Sequence, residues 1–141
     1  MSILNATVGQ ALAPLVKSPI EQELLNGYAV ASGDHNPIHL DNAAAQRVGL
    51  DGIIAHGMLS MAFLGQFVNQ QIADVPGAHV ETLKVRYVGM VRLGDTLTCL
   101  GNIKARAEAA QEVALTFECW AQNQRGEQVT LCEAVVHVPQ H

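Results

Sequence analysis

"GMLSMAFLGQFVNQQI", residues 57–72, decides the fold. Over a helix of about Gly57 to Gln71, Met58, Leu59, Met61, Phe63, Leu64, Phe67 and Val68, with Ile72 just beyond, put apolar side chains on almost every face. A helix with one apolar stripe lies on a surface, whereas one that is apolar all round must be enclosed by protein. The rest of the chain supplies the enclosure. After "DVPGAH", residues 74–79, the apolar period drops to two. Leu83, Val85 and Tyr87 alternate with Lys84 and Arg86. Leu97, Cys99, Gly101 and Ile103 share a face, as do Val113, Leu115, Phe117 and Cys119, and Val129, Leu131 and Glu133 begin a fourth segment. "LGDT" (93–96) and "NQRGEQ" (123–128) provide turns between them. This pattern predicts an antiparallel sheet with one apolar face against the helix, and Ala11 to Val16 is a candidate fifth strand.

Upstream of the buried helix the chain reads as helical. Ser18, Pro19 and Glu21 fit a capping box with proline at the first helical position. Ile20, Leu24, Tyr28 and Ala31 recur at helical spacing, and Gly33 is a natural stop. A short helix over Asp41 to Val48 has Asp41 as its cap and Gly49 after it. The class is α+β, one domain over residues 1–141.

Composition limits the functions. With 49% hydrophobic and 15% charged residues, the 141-residue chain can bury one core without staples and is not a disordered segment. So little charge suggests that some surface is covered in an oligomer. The net charge of −5 argues against a nucleic-acid partner. Lys84, Arg86 and Arg92 cluster locally, either as an anion site or as the solvated face of an edge strand. Cys99, Cys119 and Cys132 lack metal or disulfide spacing and read as small buried hydrophobes in a reducing compartment. The N-terminus has no secretory pattern. The longest apolar run, Ile53 to Val68, is broken by His56, Ser60 and Gln66, so no membrane span is expected. The expected location is the cytoplasm.

Ionisable chemistry concentrates in "SGDHNPIHLD", residues 32–41. Asp34 and His39 would lie about 140° apart on a continuous helix. Pro37, however, biases Asn36 toward an extended backbone, and across such a bend the two side chains can turn to one point. A carboxylate and an imidazole converging on one water suffice for general acid–base chemistry. Other readings stand beside this one: Asp34 as a turn or cap residue, His39 as a satisfied buried histidine, and Asn36 as the residue that holds the bend. His35 and His39 have metal-pair spacing, but Pro37 spoils the helix that spacing requires, and no metal site is expected. In "IAHGML", residues 54–59, Gly57 would open the buried helix with unpaired N–H groups at its positive end. That suits a developing oxyanion, unless the glycine only permits tight packing. His56 could cap the helix or hydrogen-bond within the site.

"YAVASGDHNPIHLDNAAA", residues 28–45, resembles the signature of the MaoC-like dehydratases, the (R)-specific enoyl-CoA hydratase (hydratase 2) group. "GIIAHGML" (52–59) and "VRYVGMVRLGDTLT" (85–98) extend the resemblance over most of the chain. It implies a hotdog fold, a curved antiparallel sheet wrapped round a long helix, with an overhanging helical segment carrying the site. It implies a hydro-lyase interconverting trans-2-enoyl and (R)-3-hydroxyacyl thioesters. Asp34 and His39 would be the catalytic pair, with Asn36, Gly57 and His56 as substrate-binding residues and Gly57 as the donor to the thioester oxygen. No cofactor is implied, because coenzyme A or an acyl carrier is part of the substrate. A homodimer or higher homo-oligomer is implied, with a hetero-partner as the alternative. Two departures stand out. Gly89-Met90 replaces a frequent proline, and Gly65 in mid-helix would either open space for an acyl chain or allow close packing.

Overall fold

In the computed structural model, which describes residues 2–140, helix α3 (Gly57–Ile72) lies in the hollow of one antiparallel sheet. Met1 and His141, the ends of the expected domain, fall outside the described residues. Before α3 come β1 (Leu15–Val16), α1 (Gln22–Ser32) and α2 (Asn42–Arg47). After it come β2 (His79–Tyr87), β3 (Thr98–Glu108), β4 (Glu112–Gln122) and β5 (Gln128–Pro139). Strand order is β1-β3-β4-β5-β2. Because α3 touches β2, β3, β4 and β5 alike, the sheet curls round it. Among the described residues no helix is long and apolar enough to cross a membrane.

The core is the contact between α3 and this sheet. Leu64, Phe67 and Val68 are fully buried against strand residues such as Ile103, Leu115, Phe117 and Val136. Full burial of one such side chain is worth about 1.5–3 kcal/mol, so these three alone rival the net stability of a whole domain, about 5–15 kcal/mol. Cys99, Cys119 and Cys132 are buried and unpaired, as expected. Burial pushes the Cys99 thiol up to about 12, which keeps it unreactive. The enclosure is one-sided: Met58, Ala62, Gln66, Asn69 and Gln70 form an exposed face along α3, and at its start Met58 is 62% exposed near exposed Tyr87, Val88 and Met90. The expectation of a helix covered on all sides therefore does not hold within one chain.

Four local expectations are corrected. The capping box at Ser18–Glu21 does not form: α1 starts at Gln22 with Glu21 at its N-cap and no side-chain cap bond. Ile20 is instead held extended, its N–H donating to Asp95 O (2.9 Å) and its carbonyl accepting from Gly94 N (2.8 Å). The buried stripe of α1 is accordingly Leu25 and Ala29, while Leu24 is exposed. In β5 the inward residues are Cys132, Ala134, Val136 and Val138 rather than Leu131 and Glu133. A register shift near Ala121 lets consecutive Val129 and Thr130 both be buried, and this flips the alternation. "LGDT" does turn the chain, Asp95 N donating to Arg92 O (3.1 Å), but the strands it joins are not neighbours, because β2 pairs with β5 at the far edge of the sheet. Buried Asp95 anchors that crossover by accepting from Arg92 N (2.9 Å) and Gln124 Nε2 (2.9 Å). The fifth strand shrinks to Leu15–Val16, paired with β3, plus a bridge from Ala11 to Asn102. By contrast, Gly33 at φ 78° ends α1, and Asp41 caps α2 by accepting from Ala43 N (2.9 Å), both as expected.

His137 on β5 lies between two carboxylates. Its Nε2 meets Glu81 and its Nδ1 lies 2.9 Å from Glu112 Oε1. The bond to Glu81, then that to Glu112, raises its pKa above the usual 6.5. A raised folded-state value means that the clamp stabilises fully below the unfolded pKa and is lost as pH rises through the folded one. The thermal midpoint should therefore fall more steeply between about pH 6 and pH 9 in wild type than in His137→Gln. Equal slopes in the two proteins would contradict this account of the clamp.

Candidate active site

The segment after α1 is folded by its own side chains. Asp34 Oδ1 accepts from Asn36 N (3.1 Å), and Asn36 Oδ1 accepts from Ile38 N (3.2 Å). Pro37 then opens a one-turn 3-10 helix, Pro37–His39, in which His39 N donates to Asn36 O (3.0 Å). These bonds close a bend with Asp34 at one end and His39 at the other. Asp34 Oδ2 lies 3.9 Å from His39 Nε2. The structural and chemical readings of Asp34 thus coexist, since one oxygen shapes the turn while the other faces the imidazole. Asn36 sits at the hinge, its side chain occupied by backbone.

His39 is buried, and its Nδ1 lies 2.8 Å from the carbonyl of Ile54. A carbonyl only accepts, so Nδ1 carries the proton and the neutral ring presents the Nε2 lone pair toward Asp34. The 3.9 Å gap is too long for a hydrogen bond, but an oxygen between the two groups can bond both. Asp34 itself is half-exposed, which leaves this gap open to a ligand.

His56 is 2% exposed. Its Nε2 donates to the main-chain carbonyl of Asp34 (3.0 Å), and its ring stacks on His39 with centroids 4.0 Å apart. Tyr28 of α1 meets it edge-on at 4.8 Å. Gly57 follows as the first residue of α3, where the N–H has no acceptor within the helix. Ser60 Oγ donates to Gly57 O (2.8 Å) and lies 2.6 Å from Thr130 Oγ1, tying the helix start to β5. A cleft of ≈ 130 Å³ is lined by His39, His56, Gly57, Ser60, Tyr87 and Thr130 among others, with Asp34 outside its lining. Sequence reasoning passed over Ser60 and Thr130 as site residues. Ser60 was visible as a polar break in the apolar run, whereas Thr130 carried no signal.

Asp34, His39 and His56 offer donor atoms within 4.8 Å of one another, so a metal site must be weighed. The rings of His39 and His56 are stacked, only 27° from parallel. A metal needs each nitrogen about 2.0–2.1 Å away along its in-plane lone pair. Stacked rings direct those lone pairs side by side, so this arrangement does not fit an ion. His35, the other half of the spacing pair considered above, is exposed while His39 is buried.

The three cations between residues 84 and 92 do not share one surface. Lys84 and Arg86 line an open groove of ≈ 640 Å³ together with Glu118 and Glu133. That groove is larger than the cleft, but it mixes both signs of charge and contains none of the residues considered for catalysis. Arg92 lines another groove and pairs with Asp51 at 3.4 Å. A Cβ on Gly65 would meet Leu83 at 3.8 Å, an ordinary packing contact. Gly89 is tight, since a Cβ there would meet the carbonyl of Gln128 at 3.3 Å.

A curled sheet round one helix, with Asp34 and His39 facing each other at 3.9 Å, is the arrangement with which the comparisons agree. The chain belongs to the MaoC-like domain family, whose pattern matches residues 4–119. It is 30% identical over 127 residues to the (R)-specific enoyl-CoA hydratase of Rhodospirillum rubrum, covering 90% of this chain and 85% of that one. A solved structure, the (R)-hydratase from A. caviae involved in PHA biosynthesis, superposes with a TM-score of 0.80 at 29% identity, covering 96% of this chain and 98% of that one. The chain also matches larger proteins. It is 39% identical over 64 residues to the fatty acid synthase beta subunit TOXC of Cochliobolus carbonum, covering 45% of this chain and spanning 3% of that protein.

Asn36→Ala removes the acceptor for Ile38 N–H and should lower stability by about 1 kcal/mol, read as a shift of the urea midpoint. An unchanged midpoint would mean that the bend is held without this side chain.

Proposed function

We propose that this chain is a hydro-lyase that adds water to trans-2-enoyl thioesters and removes it from (R)-3-hydroxyacyl thioesters. One observation carries the reading: His39, with Nδ1 committed to Ile54, turns a free Nε2 toward Asp34 across 3.9 Å, beside the unpaired N–H of Gly57. The names of the relatives support it. In the hydration direction a water sits between Asp34 Oδ2 and His39 Nε2. As its oxygen bonds to C3, its proton passes to the pair, and charge moves from the C2–C3 double bond onto the thioester oxygen. Gly57 N–H stabilises that enolate oxygen, a type of contact worth about 10²–10³ in rate. The pair then returns the proton to C2, so water has been added across the double bond with the thioester intact. Dehydration is the same path reversed. These steps call on no metal or redox group, and the coenzyme A or carrier thioester belongs to the substrate.

The cleft opens at the start of α3. Tyr87 and Met90 line it and are about half exposed, with Met58 and Val88 also bare. Strand β2 beside them has an unpaired edge. A homodimer or higher homo-oligomer covering this face fits the site best, with a hetero-partner as the alternative. A chain serving only as the acyl-holding half of a pair would have no use for the Asp34–His39 geometry.

With purified protein, the conjugated-enoyl absorbance of crotonyl-CoA should decay without release of free thiol. Asp34→Asn and His39→Gln should each slow the decay by about 10²–10⁴-fold while remaining folded. Thiol release would identify a thioesterase instead, and full activity in either variant would remove that residue from the chemistry.

A further inference from the structure

His56 touches every part of the site without facing open solvent. It is the N-cap residue of α3, one position before the proposed oxyanion donor. Through Nε2 it donates to the carbonyl of Asp34, the residue that begins the catalytic bend. Its ring lies flat against His39, the residue near the end of that bend. Tyr28 packs on it from α1, so the body of the domain holds the ring from behind.

This arrangement is costly, which argues that it does more than fill space. The side chain of an N-cap residue ordinarily accepts a hydrogen bond from the first turn of its helix; His56 accepts from Leu59 N only through its main-chain carbonyl (3.1 Å), and its side chain makes no such bond. Its Nδ1 is buried with no partner among the described residues. An unmet buried acceptor loses its hydrogen bonds to water without replacement, a cost that a packed apolar ring would avoid. What the histidine supplies, and an apolar ring cannot, is one N–H aimed at the main chain of Asp34. Through these two contacts His56 touches both residues that face each other across the 3.9 Å gap.

We infer that His56 is a positioning residue for the hydration reaction, acting through Asp34 and His39 rather than on the substrate. The inference rests on the proposed function, and it requires that His56 carry its proton on Nε2. The two contacts can be removed separately. His56→Phe keeps the flat ring and loses the donor. His56→Gln keeps a donor amide at the corresponding distance along the side chain and loses the ring.

The test uses the full-length protein, with folding and assembly followed by circular dichroism and native mass. In folded His56→Phe, kcat for crotonyl-CoA should fall by about 10²-fold with KM changed by less than about threefold, the mark of a displaced catalytic pair with substrate contacts intact. His56→Gln should recover kcat to within about tenfold of wild type, since the hydrogen bond is the larger part. A merely structural role would depress both variants in proportion to their lost stability, with no rescue. Long-range proton–nitrogen correlation spectra of the wild type should put the proton of His56 on Nε2 and that of His39 on Nδ1. A proton on Nδ1 of His56 would overturn the inference, as would undiminished kcat in His56→Phe or a loss confined to KM. If His56→Phe does not fold, the glutamine variant and the spectra decide: a glutamine variant as slow as Asp34→Asn would contradict the inference. Silence of the wild type toward all enoyl thioesters would sink the functional reading itself, an outcome separate from an active wild type indifferent to His56.

Discussion

A helix that packs one face into the core cannot satisfy its own beginning, because its first N–H groups have no partners within it. In this protein that constraint falls on Gly57. The apolar side chains of α3 drive it into the hollow of the sheet, and Leu64, Phe67 and Val68 leave no alternative place for it. The unpaired N–H groups at its start must then meet a cleft, a ligand or a capping side chain. The His56 carbonyl takes that of Leu59 (3.1 Å), but its side chain caps none of them. The chain instead folds residues 33–41 over that end and leaves a cleft between, so a packing demand of the core becomes a site with a directed donor.

The same bend resolves the tension between local structure and chemistry. Asp34 and Asn36 each use one side-chain oxygen to fold the backbone. That leaves Asp34 Oδ2 and His39 Nε2 free to face one another, and the tautomer of His39 is set by a carbonyl eighteen residues before Ile72 ends the helix, at Ile54. In the proposed reaction loop residues carry the chemistry, while the helix and the two histidine contacts to main-chain carbonyls carry the geometry.

Much of this was legible in the residues. The apolar helix, the change of period after residue 78, Gly33 as a stop and Asp41 as a cap are local signals that the chain follows, although one face of the helix stays exposed. The convergence of Asp34 and His39 followed from Pro37. What could not be read was long-range. Ser18–Glu21 has a helix-start pattern, but hydrogen bonds to Gly94 and Asp95 hold Ile20 extended, and nothing near Ser18 announces them. The inward face of β5 depends on one irregular pairing with β4, and a single such shift reverses an alternation of period two. The placement of β2 beside β5, the pairing of Ser60 with Thr130 and the contact of His56 with Asp34 join residues far apart in sequence. Periodicity alone cannot register any of them.

The central claim is spatial: one bound thioester touches the catalytic pair and the start of α3 together. A crystal structure of the protein with (R)-3-hydroxybutyryl-CoA measures it directly. The account predicts the 3-hydroxyl oxygen within hydrogen-bond reach of both Asp34 Oδ2 and His39 Nε2, and the thioester oxygen on the N–H of Gly57. A thioester bound in the groove of Lys84 and Arg86, or one whose hydroxyl meets neither side chain, would contradict it.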